Sequence, residues 1–112
     1  MAYSKWRNEF LFQFARKFPN ARMADAMTLL KAATSEQRYH EIDCSINVGE
    51  VELSRLEKAS ESRKVRVLEL CERIGARLDH CHDPRGAAYT LIAPDGSSVA
   101  VPGKGLPARC FR

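Results

Sequence analysis

Two matched turns late in the chain, Asp83-Pro84-Arg85-Gly86 and Ala93-Pro94-Asp95-Gly96, constrain the fold more than any other feature. Proline at the second position presets the φ of a type I turn, and glycine at the fourth can take the positive φ of the bulge that closes a hairpin. The turns divide the last third of the chain into three short strands. With both closed alike, Cys81 opposes Tyr89, Asp79 opposes Leu91, Leu91 opposes Val99 and Tyr89 opposes Val101. Strand alternation then gathers Cys81, Tyr89, Leu91, Val99 and Val101 on the face that meets the core. The other face collects Leu78, His80, His82, Ala88, Thr90, Ile92, Ser98 and Ala100, able to stand in water yet apolar enough to accept a partner.

Helical periodicity fills the chain ahead of these strands. Trp6, Phe10, Phe14 and Phe18 recur every four residues between a cap at Ser4 and the break at Pro19, with Leu11 beside them. This stripe packs on the rest of the domain or, failing that, docks another protein; Phe12 lies outside it, and Lys5, Arg7, Arg16 and Lys17 make the opposite face basic. A second helix is predicted from an Asn20 cap, beginning near Ala21 and running to about Cys44. Met23, Ala26, Met27, Leu30 and Ala33 point inward, and Glu36, Arg38, Glu41 and Asp43 lie on the solvent side. The connection Ser45 to Gly49 leads to a third helix from about Glu50 to Ile74. Its inward residues are Leu53, Leu56, Val67, Leu70, Cys71 and Ile74, and Gly75 is its stop. The second and third helices form an antiparallel hairpin. Leu53 to Ile74 is spaced nearly as a heptad seam, but its interruption at Ser60 and Arg63 argues for a seam within one chain rather than between chains. The oligomeric state stays open.

A length of 112 residues, 45% of them hydrophobic, supports one modest core. The predicted fold is α+β and a single domain: an aromatic helix over 1–19, a helical hairpin over 20–75, a three-stranded antiparallel meander over 76–101 and an irregular tail over 102–112. No apolar run approaches the roughly 18 residues of a membrane span, and the first residues lack the pattern of a signal peptide, so a cytoplasmic protein with no membrane partner is expected. Cys44, Cys71, Cys81 and Cys110 stand far apart with no C-x-x-C pair and read as small buried hydrophobes.

The chemistry-bearing residues are few. His80 and His82 point the same way from one strand, but nothing at readable spacing supplies the third and fourth ligands a metal site wants. No nucleophile sits beside a base, no carboxylates are paired, and Gly103-Lys104-Gly105 is too short for a phosphate loop. The expectation is therefore a protein with no cofactor and no catalytic activity. Arg85, at the third position of the first turn, either pairs with Asp83 or a nearby helix end, or presents an exposed guanidinium to a carboxylate or phosphate. Net charge is +4, with six Lys/Arg against two Asp/Glu in residues 1–34 and three against seven in 35–62.

From about Lys31 to Pro102 the chain resembles a family of small proteins encoded by temperate phages and prophages of proteobacteria. The resemblance rests on Asp43-Cys44 at a helix end, a charged helix stopping at Gly75, the Asp83-Pro84-Arg85-Gly86 turn and the closing Val101-Pro102. The chain departs from the family pattern in having Ser45 where Asn is usual and in continuing past the Val-Pro. The resemblance implies a phage-derived accessory protein of the bacterial cytoplasm and implies little chemistry. The leading expectation is a protein-binding modulator of a host or phage machine, using Arg85, His80, His82 and Ile92. The alternative is nucleic-acid binding through Arg63-Lys64-Arg66 and Lys5, Arg7, Arg16 and Lys17.

Overall fold

The structure is a computed structural model and describes residues 2–43, 49–79 and 89–104. It has three helices followed by three strands: α1 (Ala2–Lys17), α2 (Met23–Asp43), α3 (Glu50–Ile74), β1 (Arg77–Asp79), β2 (Tyr89–Ile92) and β3 (Ser98–Val101). The strands form one antiparallel sheet in the order β1-β2-β3, giving an α+β fold.

The aromatic stripe of α1 faces inward. Phe10, Phe14 and Phe18 are almost wholly buried, and consecutive rings lie 5.2 and 5.3 Å apart in tilted pairs. Burial of each ring is worth roughly 2 to 3 kcal/mol. The helix packs on β3, and Arg16 and Lys17 place positive charge at its C-terminal end, where the helix dipole favours it. Ser4 lies inside α1 rather than capping it.

The start of α2 and part of its buried face differ from the sequence expectation, while Ala26, Leu30 and Ala33 are buried as expected. It begins at Met23, and the backbone N–H of Arg22 donates to Asp25 Oδ2 at 2.9 Å, so the carboxylate of the first turn, not Asn20, satisfies the helix start. Met23 and Met27 are 64% and 52% exposed, and the inward stripe is Ala26, Leu29, Leu30, Ala33 and Gln37. Both stripes obey the helical period. Ala26, Leu30 and Ala33 belong to both; the structure turns the stripe from Met23 and Met27 to Leu29 and Gln37, and its flank carries Asp25 toward Arg73 on α3.

α3 has the predicted bounds. Gly75 takes φ 81°, its N–H donates to Glu72 O, and Ala76 N–H donates to Cys71 O at 2.8 Å. This pair of bonds closes the last turn, and only glycine adopts that φ freely. Arg73 meets Asp25 while Ser60 and Arg63 meet Glu36, so α2 and α3 run in opposite directions side by side.

The second turn has the expected geometry. Gly96 N–H donates to Ala93 O at 2.9 Å, Ala93 N–H to Ser97 O at 2.8 Å, and Gly96 has φ 88°. Asp95 accepts from the Ser97 backbone and hydroxyl and from Lys17 Nζ at 2.9 Å, tying the turn to the end of α1. Tyr89 pairs with Val101 and Leu91 with Val99, and all four are buried. The β1–β2 register, however, is shifted by one residue: Leu78, not Asp79, opposes Leu91. Such a shift exchanges the faces of a strand, so Leu78 joins the core side and Arg77 and Asp79 turn outward. The gain is a leucine packed on the core in place of a carboxylate. After β3, Pro102 is buried and Gly103 lies on α2, where a Cβ would fall 2.5 Å from Ala33 O.

Candidate functional site

Of the four residues singled out as a partner surface, Ile92 is placed; His80, His82 and Arg85 lie outside the described residues, as does the first turn. Ile92 sits at the end of β2 on the face turned away from the helices. The registers assemble two rows across that face, Arg77-Ile92-Ser98 and Asp79-Thr90-Ala100. Thr90, Ile92, Ala100 and Asp79 are half-buried, and Arg77 and Ser98 are exposed. Thr90 and Ile92 stand on the central strand, with one cation and one carboxylate along the β1 side. Nothing in it forms a nucleophile–base pair. It offers apolar side chains at Ile92 and Ala100 and two charges, Arg77 and Asp79.

The basic clusters are divided by their ion pairs. Arg63 is held by Glu36, Lys17 by Asp95, Arg73 by Asp25 and Arg55 by Glu52. Arg63 therefore leaves the Arg63-Lys64-Arg66 run, and Lys17 is separated from Lys5 and Arg16. Arg16 instead stacks over the exposed Phe12 ring at 5.4 Å. Hydrogen bonds from the Ser97 hydroxyl and then from Lys17 hold the Asp95 carboxyl well below the usual carboxylate range.

A polar cluster lies between α2, α3 and β2. Glu36 was expected on the solvent side of α2 but is 8% exposed. It accepts from Ser60 Oγ at 2.7 and 2.9 Å and from Arg63 Nη2 at 3.0 Å. The Tyr89 hydroxyl enters from β2, close enough to feel both charges while closing no well-directed hydrogen bond among the described residues. Burial first, then the Glu36 charge, pushes its pKa up to about 12, with Arg63 pulling the other way. Burial likewise pushes the nearby Cys71 thiol up to about 11. Both groups keep their protons at neutral pH, so neither is poised as a base or a thiolate nucleophile. The cluster's work is cohesion. Its signal was present in the sequence: Glu36 and Gln37 extend the buried 26-29-30-33 period of α2, opposite the polar interruption of α3.

A shallow, open hollow at the start of α3 is lined by Glu50, Val51, Ser54, Arg55 and Lys58. Among the described residues no three His, Cys, Asp or Glu side chains are placed to hold a metal, and no helix is long and apolar enough to cross a membrane. Comparison with protein-family models, with curated proteins and with solved structures finds no match to this chain.

Proposed function

We propose that this chain is a small non-enzymatic protein-binding module, a phage- or prophage-derived accessory protein that modulates a host or phage machine in the bacterial cytoplasm. The observation that carries the reading is the sidedness of the sheet. Helices take one face, and the other presents Ile92, Thr90 and Ala100 between Arg77 and Ser98. A sheet face of this kind takes up a partner through its apolar side chains and fixes its orientation with charges at the rim. The phage origin rests on the Asp43-Cys44, Gly75, Asp83 to Gly86 and Val101-Pro102 pattern. The division of the basic clusters by Glu36 and Asp95 weighs against the nucleic-acid alternative.

An affinity pull-down from bacterial lysate tests the reading with the wild type, Ile92→Lys and Arg85→Ala, each with and without nuclease. A discrete stoichiometric partner that survives nuclease and is lost with Ile92→Lys is the expected result, with thermal melting showing the variant folded. Loss with Arg85→Ala as well extends the surface to the first turn. Recovery of only nuclease-sensitive material would sink the proposal in favour of nucleic-acid binding.

A further inference from the structure

We infer that β1 is a dimerisation edge, through which two copies of this chain join their sheets by antiparallel pairing of Arg77-Leu78-Asp79 with the same three residues of the second copy. Among the described residues β1 is the outer strand of the sheet and pairs with β2 alone. An edge strand leaves a row of backbone N–H and C=O groups that either stay hydrated or meet another strand. Charges on an edge commonly discourage pairing, and their sign pattern decides which pairing survives.

Here the pattern is self-complementary. Antiparallel pairing about a two-fold axis at Leu78 sets Arg77 opposite the second copy's Asp79, and Asp79 opposite the second copy's Arg77. Both residues lie on the outer face of the sheet, across from Ile92 and Thr90. Opposite charges directly across an antiparallel pair attract, and like charges there repel. A slip of two residues in either direction sets Arg77 against Arg77 or Asp79 against Asp79. A slip of one sets a core-face residue against an outer-face residue and breaks the sidedness of both sheets. One register therefore satisfies charge and face together. Asp79 already takes part in an interaction within its own chain, and a carboxylate has lone pairs for a second donor.

The flank of α3 gives independent support. Leu68 is 42% exposed, and it stands five residues from both Arg63 and Arg73, which reach to α2. Five residues turn a helix by about 140°, so Leu68 faces away from α2. α3 packs over β1 while α2 packs over β3, which makes that flank the β1-edge side. Joining the sheets through β1 turns the two flanks toward each other and gives each exposed leucine an apolar neighbour.

Sedimentation equilibrium over a dilution series tests the inference with the wild type, Arg77→Asp, Asp79→Arg and the double reversal, each checked for folding by circular dichroism. The wild type should dimerise, each single reversal should weaken association on the order of tenfold or more, and the double reversal should restore it. Leu68→Ser, on the helix surface, should weaken the dimer without unfolding the chain, which keeps the test decisive if a reversal disturbs β1. A wild type that stays monomeric across the series, or a dimer indifferent to Leu68→Ser and to the single reversals, overturns the inference.

Discussion

The contact between α1 and the sheet and the contact between α2 and α3 are held together by different means. The first is dry: three phenylalanine rings lie against Val99 and Val101. The second is dry at its middle, around Leu29, Leu30 and Val67, and polar at both ends, where Arg73 meets Asp25 and where Glu36 is enclosed by Ser60 and Arg63. Dispersion and water release are non-directional, so the dry contact tolerates imperfect geometry and is written in periodicity alone. The polar contact holds only if each buried charge keeps its partner, and it fixes the sliding register of the two helices.

The strongest test of this contrast sets single losses against double ones. Phe14→Ala should cost about 3 to 5 kcal/mol in urea unfolding, by lost transfer energy and cavity formation. Arg63→Ala should cost about 3 kcal/mol for a different reason, the stranding of Glu36 in a poorly hydrated site. The two then diverge. Pairing Arg63→Met with Glu36→Leu should recover most of that loss, since a well-packed apolar pair replaces a buried ion pair at little cost, whereas adding Phe18→Ala to Phe14→Ala should deepen the cavity further. If the Leu/Met double variant is no better than Arg63→Ala, the cluster is not an ion-pair device and the contrast fails.

Gly103→Ala should have the next largest effect. Its Cβ would meet backbone, not a movable side chain, so α2 or the segment after β3 must shift. A loss of roughly 1 to 3 kcal/mol in thermal or urea unfolding is expected from such overpacking. An unchanged stability would show that Pro102–Lys104 rests loosely on α2 and belongs to neither contact.

The smallest effect is expected from acid. The Arg73 guanidinium, and then the Arg22 backbone N–H, hold the Asp25 carboxyl below its ordinary value of 3.8. A depressed folded-state pKa contributes stability that is fully present above the unfolded value and is lost as pH falls through the folded one. Asp25→Asn should therefore lower stability at neutral pH and flatten the loss on acidification below about pH 4, read from urea midpoints across that range. An acid limb as steep as that of the wild type would remove Asp25 from the polar side of the comparison.

These contrasts explain what the sequence made legible. Gly75, the Ala93 to Gly96 turn and the β2–β3 register follow from local rules, because a positive φ, a proline ring and strand alternation act within a few residues. The buried face of α2 does so only in part, at Ala26, Leu30 and Ala33. Met23/Met27 and Leu29 satisfy the same period, and the choice between them is made by α3 and the sheet. The β1–β2 register escaped for a related reason: applying the second turn's geometry to the first loop moved Leu78 to the outer face, when its apolar side chain belongs opposite Leu91. Glu36 read as solvated because a charge on a helix usually is. Of the candidate surface, Ile92 was legible as an outward residue of the sheet, and its neighbours Arg77 and Asp79 came into view only with the corrected register.

The Lys17–Asp95 tie spans 78 residues of sequence and stands at the junction between the first helix and the last hairpin. It has a consequence for the order in which the chain can become native. α1 takes much of its apolar cover from β3, some eighty residues further along the chain, so its phenylalanines lack those partners until Val99 and Val101 have been synthesised. Contacts this distant in sequence slow folding, because a long loop must close before any burial rewards it. A nascent or truncated chain lacking β3 therefore carries a partly uncovered aromatic helix, a segment prone to aggregate or to be held by chaperones until β3 is in place.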